Sequence, residues 1–283
     1  MGNILKVPKA TTMQLDLSEA PKDVLLEIFM NLDPKFLIKN CTLVSKSWYH
    51  IINEDSFWLV RSSKENCREI LPPRELVSLI SKDYSLSKMY IKRPFNRNLI
   101  VNGSGEDGFN GWDITEARHF SENPFVVENP PNDIVPHDPS IRSCFATTYF
   151  VGTKKQVIRF EDLGFNDDFM AKFKPTIIVS EMHSYRRDAG AYYKLSVDLQ
   201  NGRLGNNSEE HLLNNTHQQE FTYPQWTDPR WIKVEKEFKN YSDDTEQISF
   251  TSMGRDTMFW AGNYGSKMAK ATILITFDFN KSV

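Results

Sequence analysis

The residues of this chain that could do chemistry are few, and their spacing does not fit an enzyme. Its six histidines lack the intervals of a metal site, and the sequence contains neither a Gly-x-Ser-x-Gly elbow nor a His-Glu-x-x-His motif. Asp188 and Asp256 are carboxylates of the kind that glycoside hydrolases pair across a sugar, but nothing in the sequence places them together. The sequence therefore favours a binding protein over an enzyme, and it predicts neither a cofactor nor a metal site.

One glycine-rich stretch matches the glycine spacing of a dinucleotide-binding site. Gly103, Gly105 and Gly108 have the Gly-x-Gly-x-x-Gly spacing, yet a phosphate also requires the N-terminus of a helix directly after the glycines. Residues 109–115 have the pattern of a strand instead, and the two acidic residues inside the motif would repel a phosphate. We therefore expect a turn here and no nucleotide.

Bulk composition indicates an intracellular protein that binds neither nucleic acid nor membrane. The 283 residues carry 34 Lys and Arg against 37 Asp and Glu, and the net charge of −3 creates no basic field. Cys41, Cys67 and Cys144 lack Cys-x-x-Cys spacing, as is typical of a reducing compartment. No stretch approaches the ~20 apolar residues of a membrane span, and the N-terminus has no secretory core. We expect a cytoplasmic protein of about two domains.

The elements that must position any functional residue differ between the two parts of the chain. In residues 17–58, apolar side chains recur at intervals of three and four, which predicts short amphipathic helices. Asp33-Pro34 supplies a capping side chain and then a fixed φ, so a second helix is expected to begin there. The segment has more apolar surface than about forty residues can bury among themselves. It is therefore either a docking module or a small helical subdomain packed on its neighbour.

From residue 93 onward the apolar pattern changes to alternation, which predicts strands. The predicted strands are residues 144–150, 156–160, 176–182, 193–199, 231–238 and 272–277. Clusters of Gly, Asn, Asp and Pro separate them, and residues 162–173 are expected to form a short helix or lid. Strands at this frequency with almost no helices between them predict an antiparallel β-sandwich.

The helical segment resembles an F-box. Twelve residues stand in the order of that family's pattern, namely Pro21, Leu25, Ile28, Leu32, Asp33, Pro34, Leu37, Leu43, Val44, Lys46, Trp48 and Trp58. The resemblance implies docking on the small adaptor subunit of a cullin-based ubiquitin ligase, with an apolar helix face against an apolar groove. Trp48 is expected to pack internally. The resemblance assigns the docking contact to Pro21, Leu25, Ile28, Leu32 and Leu37.

The strand-rich segment resembles the F-box-associated domain of the F-box proteins that recognise sugar chains. The resemblance is carried by residues 93–112, 153–157, 187–190 and 259–265, the last with an aromatic-Trp-x-Gly-x-aromatic-Gly pattern. It implies a jelly-roll-like sandwich, similar to galactose-binding domains, that holds the chitobiose core of high-mannose N-glycans at one end. It assigns the glycan contact to Tyr149, Asp188, Phe259 and Trp260.

These residue types suit a sugar, which has an apolar C–H face and a polar rim. Trp260 offers a flat face for stacking, and Asp188 offers an acceptor for hydroxyl or N-acetyl N–H groups. The tightest glycan binders of the family have Tyr before this tryptophan and Lys after it, where this chain has Phe259 and Ala261. The glycan affinity is therefore left open.

Together these features predict an α+β multidomain chain. A flexible N-terminus (1–16), an F-box (17–60) and a helical linker (61–92) precede an antiparallel sandwich (93–283). The resemblance implies a cytoplasmic, non-catalytic substrate receptor that brings misfolded N-linked glycoproteins to the ligase, at the cytosolic face of the endoplasmic reticulum, for degradation. Two alternatives stay open: an F-box receptor that reads a protein surface without glycan, and a glycoprotein-binding chaperone that acts without the ligase.

Overall fold

The computed structural model describes residues 17, 20–116, 123–165, 168–200 and 213–277. The chain divides into two compact units, and the boundary lies after Cys67. This boundary falls inside the segment that the sequence analysis assigned to a linker, and the domain limits given there stay predictions. Within the described residues, no helix is both long and apolar enough to cross a bilayer.

The first unit is built from short helices whose starts the sequence encodes locally. They are α1 (Lys22–Met30), α2 (Pro34–Lys39), α3 (Lys46–Asn53) and α4 (Asp55–Lys64), with a 3₁₀ turn at Cys41–Leu43. The side chain of Asp33 accepts the Phe36 N–H at 2.8 Å and caps α2, as the sequence predicts. Ser45 caps α3 in the same way by accepting the Trp48 N–H at 3.2 Å.

The core of the first unit consists of large apolar side chains from all of these helices. Phe29 and Trp48 meet edge to face with their ring centroids 4.9 Å apart, so Trp48 packs internally, as expected. Arg61, itself buried, donates from α4 to the carbonyls of Phe29 at 3.2 Å and Leu32 at 2.8 Å. Phe29 lies in the last turn of α1 and Leu32 just after it, so Arg61 joins α4 to the C-terminal end of α1.

The second unit begins with α5 (Arg74–Ile80) and α6 (Leu86–Lys92) and continues as a sandwich that also contains the helix α7 (Phe169–Phe173). The strands are β1 (Asp113–Glu116), β2 (Phe125–Glu128), β3 (Cys144–Thr147), β4 (Gly152–Arg159), β5 (Thr176–Ser184), β6 (Ala191–Gln200), β7 (Thr216–Tyr223), β8 (Ile232–Phe238), β9 (Gln247–Asp256) and β10 (Lys267–Thr276). They form two antiparallel sheets in the orders β1-β4-β9-β6-β7 and β2-β3-β10-β5-β8. The predicted antiparallel sandwich is thereby confirmed.

A charged pair lies at the centre of this sandwich. Lys154 of β4 and Glu181 of β5 are fully buried and bridge the two sheets, with Nζ and Oε1 2.6 Å apart. The other Glu181 oxygen accepts the hydroxyls of Ser252 at 2.6 Å and Tyr193 at 2.8 Å. Lys154 Nζ also lies 3.7 Å from the centroid of the Trp112 indole ring. The pair is thus desolvated but well supplied with partners, the condition under which a buried pair is tolerated.

Next to this pair, His183 of β5 is fully buried and stacks on Tyr193, with ring centroids 4.0 Å apart. Burial lowers the pKa of His183 to about 3, because a charged imidazole would lose its hydration there. His183 is therefore neutral in the folded protein at physiological pH.

We expect His183 to make the fold less stable as the pH falls below about 6.5, the usual histidine pKa. The unfolded chain takes up this proton near that pH, whereas the folded chain stays neutral down to about 3. Chemical denaturation of the wild type and His183→Gln at several pH values isolates the contribution of His183 to the free energy of unfolding. The difference in this free energy between the wild type and the variant should change by about 1.4 kcal/mol per pH unit between roughly pH 6 and 4, to the disadvantage of the wild type as the pH falls. A difference that does not change with pH would contradict this expectation.

Candidate functional site

Three loops meet at one end of the sandwich, and backbone hydrogen bonds hold them together. They are the β3–β4 loop (148–151), the β5–β6 loop (185–190) and the β9–β10 loop (257–266). The Asp256 N–H donates to the Thr148 carbonyl at 2.7 Å, and the Thr257 N–H donates to the Gly190 carbonyl at 3.0 Å. The structure therefore brings together the loops that carry Tyr149, Asp188, Phe259 and Trp260, although they lie far apart in sequence.

Trp260 is held rigidly in the β9–β10 loop. Its backbone N–H donates to Asp256 Oδ2 at 2.9 Å, and the Met258 N–H donates to Oδ1 of the same carboxylate at 2.7 Å. The indole meets Tyr264 edge to face at 5.7 Å and stays 38% exposed. Phe259 is 68% exposed on a left-handed backbone with φ of 59°. The loop thus presents two aromatic side chains to solvent, and its backbone is held by the Asp256 carboxylate.

Asp256 therefore serves as the cap of this loop. It is fully buried, and both of its oxygens accept loop amides. The loop returns to β10 through Gly265, where a Cβ would lie 2.6 Å from the Asp256 nitrogen, so only glycine fits this close approach. The arrangement explains Asp256 without the paired-carboxylate chemistry that the sequence raised.

Asp188 is paired with Arg186, which sequence reasoning did not select. The Arg186 Nε donates to Oδ1 at 2.9 Å and its terminal nitrogen donates to Oδ2 at 3.0 Å. This pairing holds the pKa of the Asp188 carboxyl below its usual value. The Arg186 guanidinium in turn lies 4.9 Å from the Tyr264 ring centroid. A continuous line of contacts therefore joins Trp260, Tyr264, Arg186 and Asp188.

Asp188 keeps acceptor capacity in this arrangement, because each carboxylate oxygen has two lone pairs and Arg186 uses one on each. Tyr149 is half-buried, and its ring packs on Phe150 with centroids 4.2 Å apart. The site thus offers an aromatic face, a charged acceptor oriented by an arginine and a second aromatic on the adjacent loop.

A buried lysine also holds the β9–β10 loop by a hydrogen bond to its backbone. Lys267 is fully buried at the start of β10, and its Nζ donates to the Asn263 carbonyl at 2.6 Å. It also pairs with Glu128 at 2.8 Å. Burial lowers the pKa of Lys267, while the Glu128 carboxylate opposes that shift. No sequence pattern marks Lys267, since its role depends on the pairing of β10 with its neighbours.

In the first unit, the members of the predicted docking contact differ in exposure, and the contact itself stays a prediction. Leu25 and Leu37 are fully buried, so in this fold they pack the interior and offer no surface to a partner. Pro21 is exposed, and Ile28 and Leu32 are half-buried. The large apolar side chains that reach solvent in this unit include Val24, Phe36, Leu43, Val44, Tyr49 and Val60. Leu43 is 82% exposed, the largest fraction among them.

The chain thus consists of a helical unit with exposed apolar side chains and a sandwich with an aromatic and polar loop site. Residues 18–60 match the F-box-like family and residues 90–275 match the F-box associated region. The chain therefore belongs to the F-box proteins that carry an F-box associated region. This family consists of substrate receptors of cullin-based ubiquitin ligases rather than enzymes, and the F-box is its attachment to the adaptor subunit and cullin.

Similar proteins match this chain over most of their length. F-box only protein 44 of Homo sapiens is 29% identical over 264 residues, which cover 92% of this chain and 96% of the relative. F-box only protein 6 of Mus musculus is 26% identical over 264 residues, covering 92% and 83%. Among solved structures, a module described as TmCBM61 in complex with beta-1,4-galactotriose superposes with a TM-score of 0.38 at 13% identity. It covers 64% of this chain and 99% of its own, a likeness too distant to bear on function.

Proposed function

We propose that this protein binds N-linked glycoproteins through the chitobiose core of their high-mannose glycans and presents them to a cullin-based ubiquitin ligase. The clients would be misfolded glycoproteins returned from the endoplasmic reticulum, and the receptor would work in the cytoplasm, at the cytosolic face of that organelle. The observation that carries the proposal is the partly exposed Trp260, which Tyr264 and Arg186 connect to an arginine-oriented Asp188. The ubiquitin transfer itself belongs to the partners of the receptor.

The chemistry of the site suits an N-acetylated disaccharide. The apolar face of a pyranose ring stacks on an indole, and Trp260 has its backbone held by Asp256 and its ring packed against Tyr264, which reduces the freedom lost on binding. The Asp188 carboxylate is an acceptor for a hydroxyl or an N-acetyl N–H. Phe259 and Tyr149 supply further aromatic surface. Phe259 and Ala261 lack the hydroxyl and ammonium of the family's tightest binders, each worth about 1–2 kcal/mol where used, so we expect modest affinity.

A calorimetric titration with chitobiose tests this proposal. We expect saturable binding by the wild type and a loss of at least about tenfold in affinity for Trp260→Ala, because the stacking face and its buried area are removed. Cellobiose, which has the same linkage but no N-acetyl groups, is the matched control ligand and should bind more weakly. Thermal unfolding of both proteins verifies that the substitution leaves the fold intact.

Two outcomes would overturn the glycan assignment. If the wild type does not bind chitobiose, the receptor reads a protein surface instead. If Trp260→Ala binds as tightly as the wild type, the platform lies elsewhere. Copurification with the adaptor subunit and cullin addresses the second alternative, a chaperone acting without the ligase, which would show glycan binding but no such association.

A further inference from the structure

An open groove of about 730 Å³ adjoins the Trp260 site and has no role in the arrangement described so far. Its walls come from residues 129–133, from residues 186–188 and from Trp226 in the β7–β8 loop. Arg186 and Asp188 therefore belong to both places: they continue the line of contacts from Trp260 and also line the groove. A ligand on Trp260 that reaches Asp188 would therefore contact a residue of the groove wall.

Trp226 is held in an exposed position by the loop around it. Its backbone has φ of 68°, a left-handed conformation that is unusual for a bulky residue, and its side chain is 66% exposed. Its N–H donates to the Arg187 carbonyl at 2.7 Å, and the Gln225 side chain donates to the Asp188 carbonyl at 2.9 Å. Two hydrogen bonds thus join this turn to the β5–β6 loop. Strained backbone conformations of this kind are concentrated at functional sites.

The charges of the groove select a neutral ligand. Its lining contains two arginines and two aspartates, so it has no formal net charge. Arg186 is paired with Asp188 at 2.9 Å, and Arg187 is paired with Asp228 at 3.2 Å. The Arg187 N–H donates to Asp133 at 2.9 Å. With both arginines paired to carboxylates, the groove offers hydrogen-bonding atoms without the uncompensated positive charge that would attract a phosphate or an acidic peptide.

We propose that this groove is a second sugar subsite, in which Trp226 is the platform for a neutral hexose of the same glycan whose chitobiose stacks on Trp260. An exposed aromatic face with polar atoms of fixed orientation around it is the composition that a pyranose requires. The groove volume of about 730 Å³ lies within the usual range of ligand sites. The inference rests on the proposed glycan-binding function and extends it from the core disaccharide to the mannose residues attached to it.

The test compares two ligands, chitobiose and the pentasaccharide that adds three mannoses to it. We expect the wild type to bind the pentasaccharide about tenfold more tightly than chitobiose. Trp226→Ala should leave the chitobiose affinity within about twofold and remove the gain for the pentasaccharide, while Trp226→Phe should restore most of it. Because the side chain is exposed, thermal unfolding should be unchanged in both variants.

The outcomes separate this inference from the proposed function. If the wild type binds neither ligand, both are overturned. If it binds both equally, or if Trp226→Ala weakens neither or both to the same extent, the second subsite is overturned while the Trp260 site stands. Dependence on Trp226 that is seen only with an unfolded glycoprotein, and not with the free pentasaccharide, would assign the groove to polypeptide instead.

Discussion

Replacing Lys154 with methionine is expected to lower the free energy of unfolding by about 3–5 kcal/mol, because it leaves the Glu181 carboxylate buried without its counter-ion. Both side chains are fully buried, and their atoms approach to 2.6 Å. The substitution also removes the ammonium from the Trp112 face, 3.7 Å away. Methionine has a similar length and no charge, so the loss reports on the unpaired carboxylate rather than on a cavity.

The matched control is the double variant Lys154→Met with Glu181→Gln. Glutamine keeps an acceptor for the hydroxyls of Ser252 and Tyr193 but carries no charge, so most of the lost stability should return. Urea denaturation of the wild type, both single variants and the double variant gives the coupling energy directly. A single-variant cost below about 1 kcal/mol, or a double variant as unstable as the sum of the singles, would show that the pair does not behave as a desolvated unit.

The sandwich could be predicted from the sequence because its strands alternate, whereas the central pair could not. Lys154 and Glu181 stand among polar and apolar residues on strands of different sheets, and no local pattern shows that both side chains point inward. The alternating pattern also predicts too late a start for β4, which begins at Gly152 and not at residue 156. Its first residues include Lys154, a charge that alternation assigns to solvent.

At the loop site, local motifs identified two anchors and missed the residues that connect them. Asp188 and Trp260 stand in recognisable stretches, but Arg186 and Tyr264 matter because the β5–β6 and β9–β10 loops are neighbours. That neighbourhood follows from the strand orders, which the sequence does not state. Trp226 was missed because a single aromatic in a polar turn has no periodicity to mark it.

The docking contact stays a prediction, and the burial of its members shows that helical periodicity and surface exposure are different properties. Apolar residues at intervals of three and four predict the face of a helix that is buried. In this unit, that face packs in the unit's own core. Leu25 and Leu37 are such positions and are fully buried. Leu43 and Val44, which the sequence pattern placed in the helical stripe of Trp48, lie instead at a 3₁₀ turn and are 82% and 54% exposed. Exposed apolar side chains of this size are the better candidates for a partner's groove.

We therefore expect the variant Leu43→Glu with Val44→Glu to lose adaptor binding by about a hundredfold or more, because two charges would enter an apolar interface unpaired. The side chains are exposed, so the substitutions should leave the free energy of unfolding nearly unchanged. Ile28→Glu and Leu32→Glu test the half-buried members of the original prediction. Binding of purified receptor to purified adaptor subunit, measured by surface plasmon resonance, gives the affinities.

The chain offers matched controls for both parts of this expectation. Val101 in the second unit is 54% exposed, the same fraction as Val44, so Val101→Glu introduces an equal change in surface chemistry outside the F-box. It should leave adaptor binding unaltered. Leu25→Ala should instead cost about 2–5 kcal/mol of stability through the cavity it leaves. If the variant at Leu43 and Val44 binds like the wild type while Leu25→Ala, still folded, does not, the docking contact involves a rearranged helix α1, because Leu25 is enclosed in the structure described.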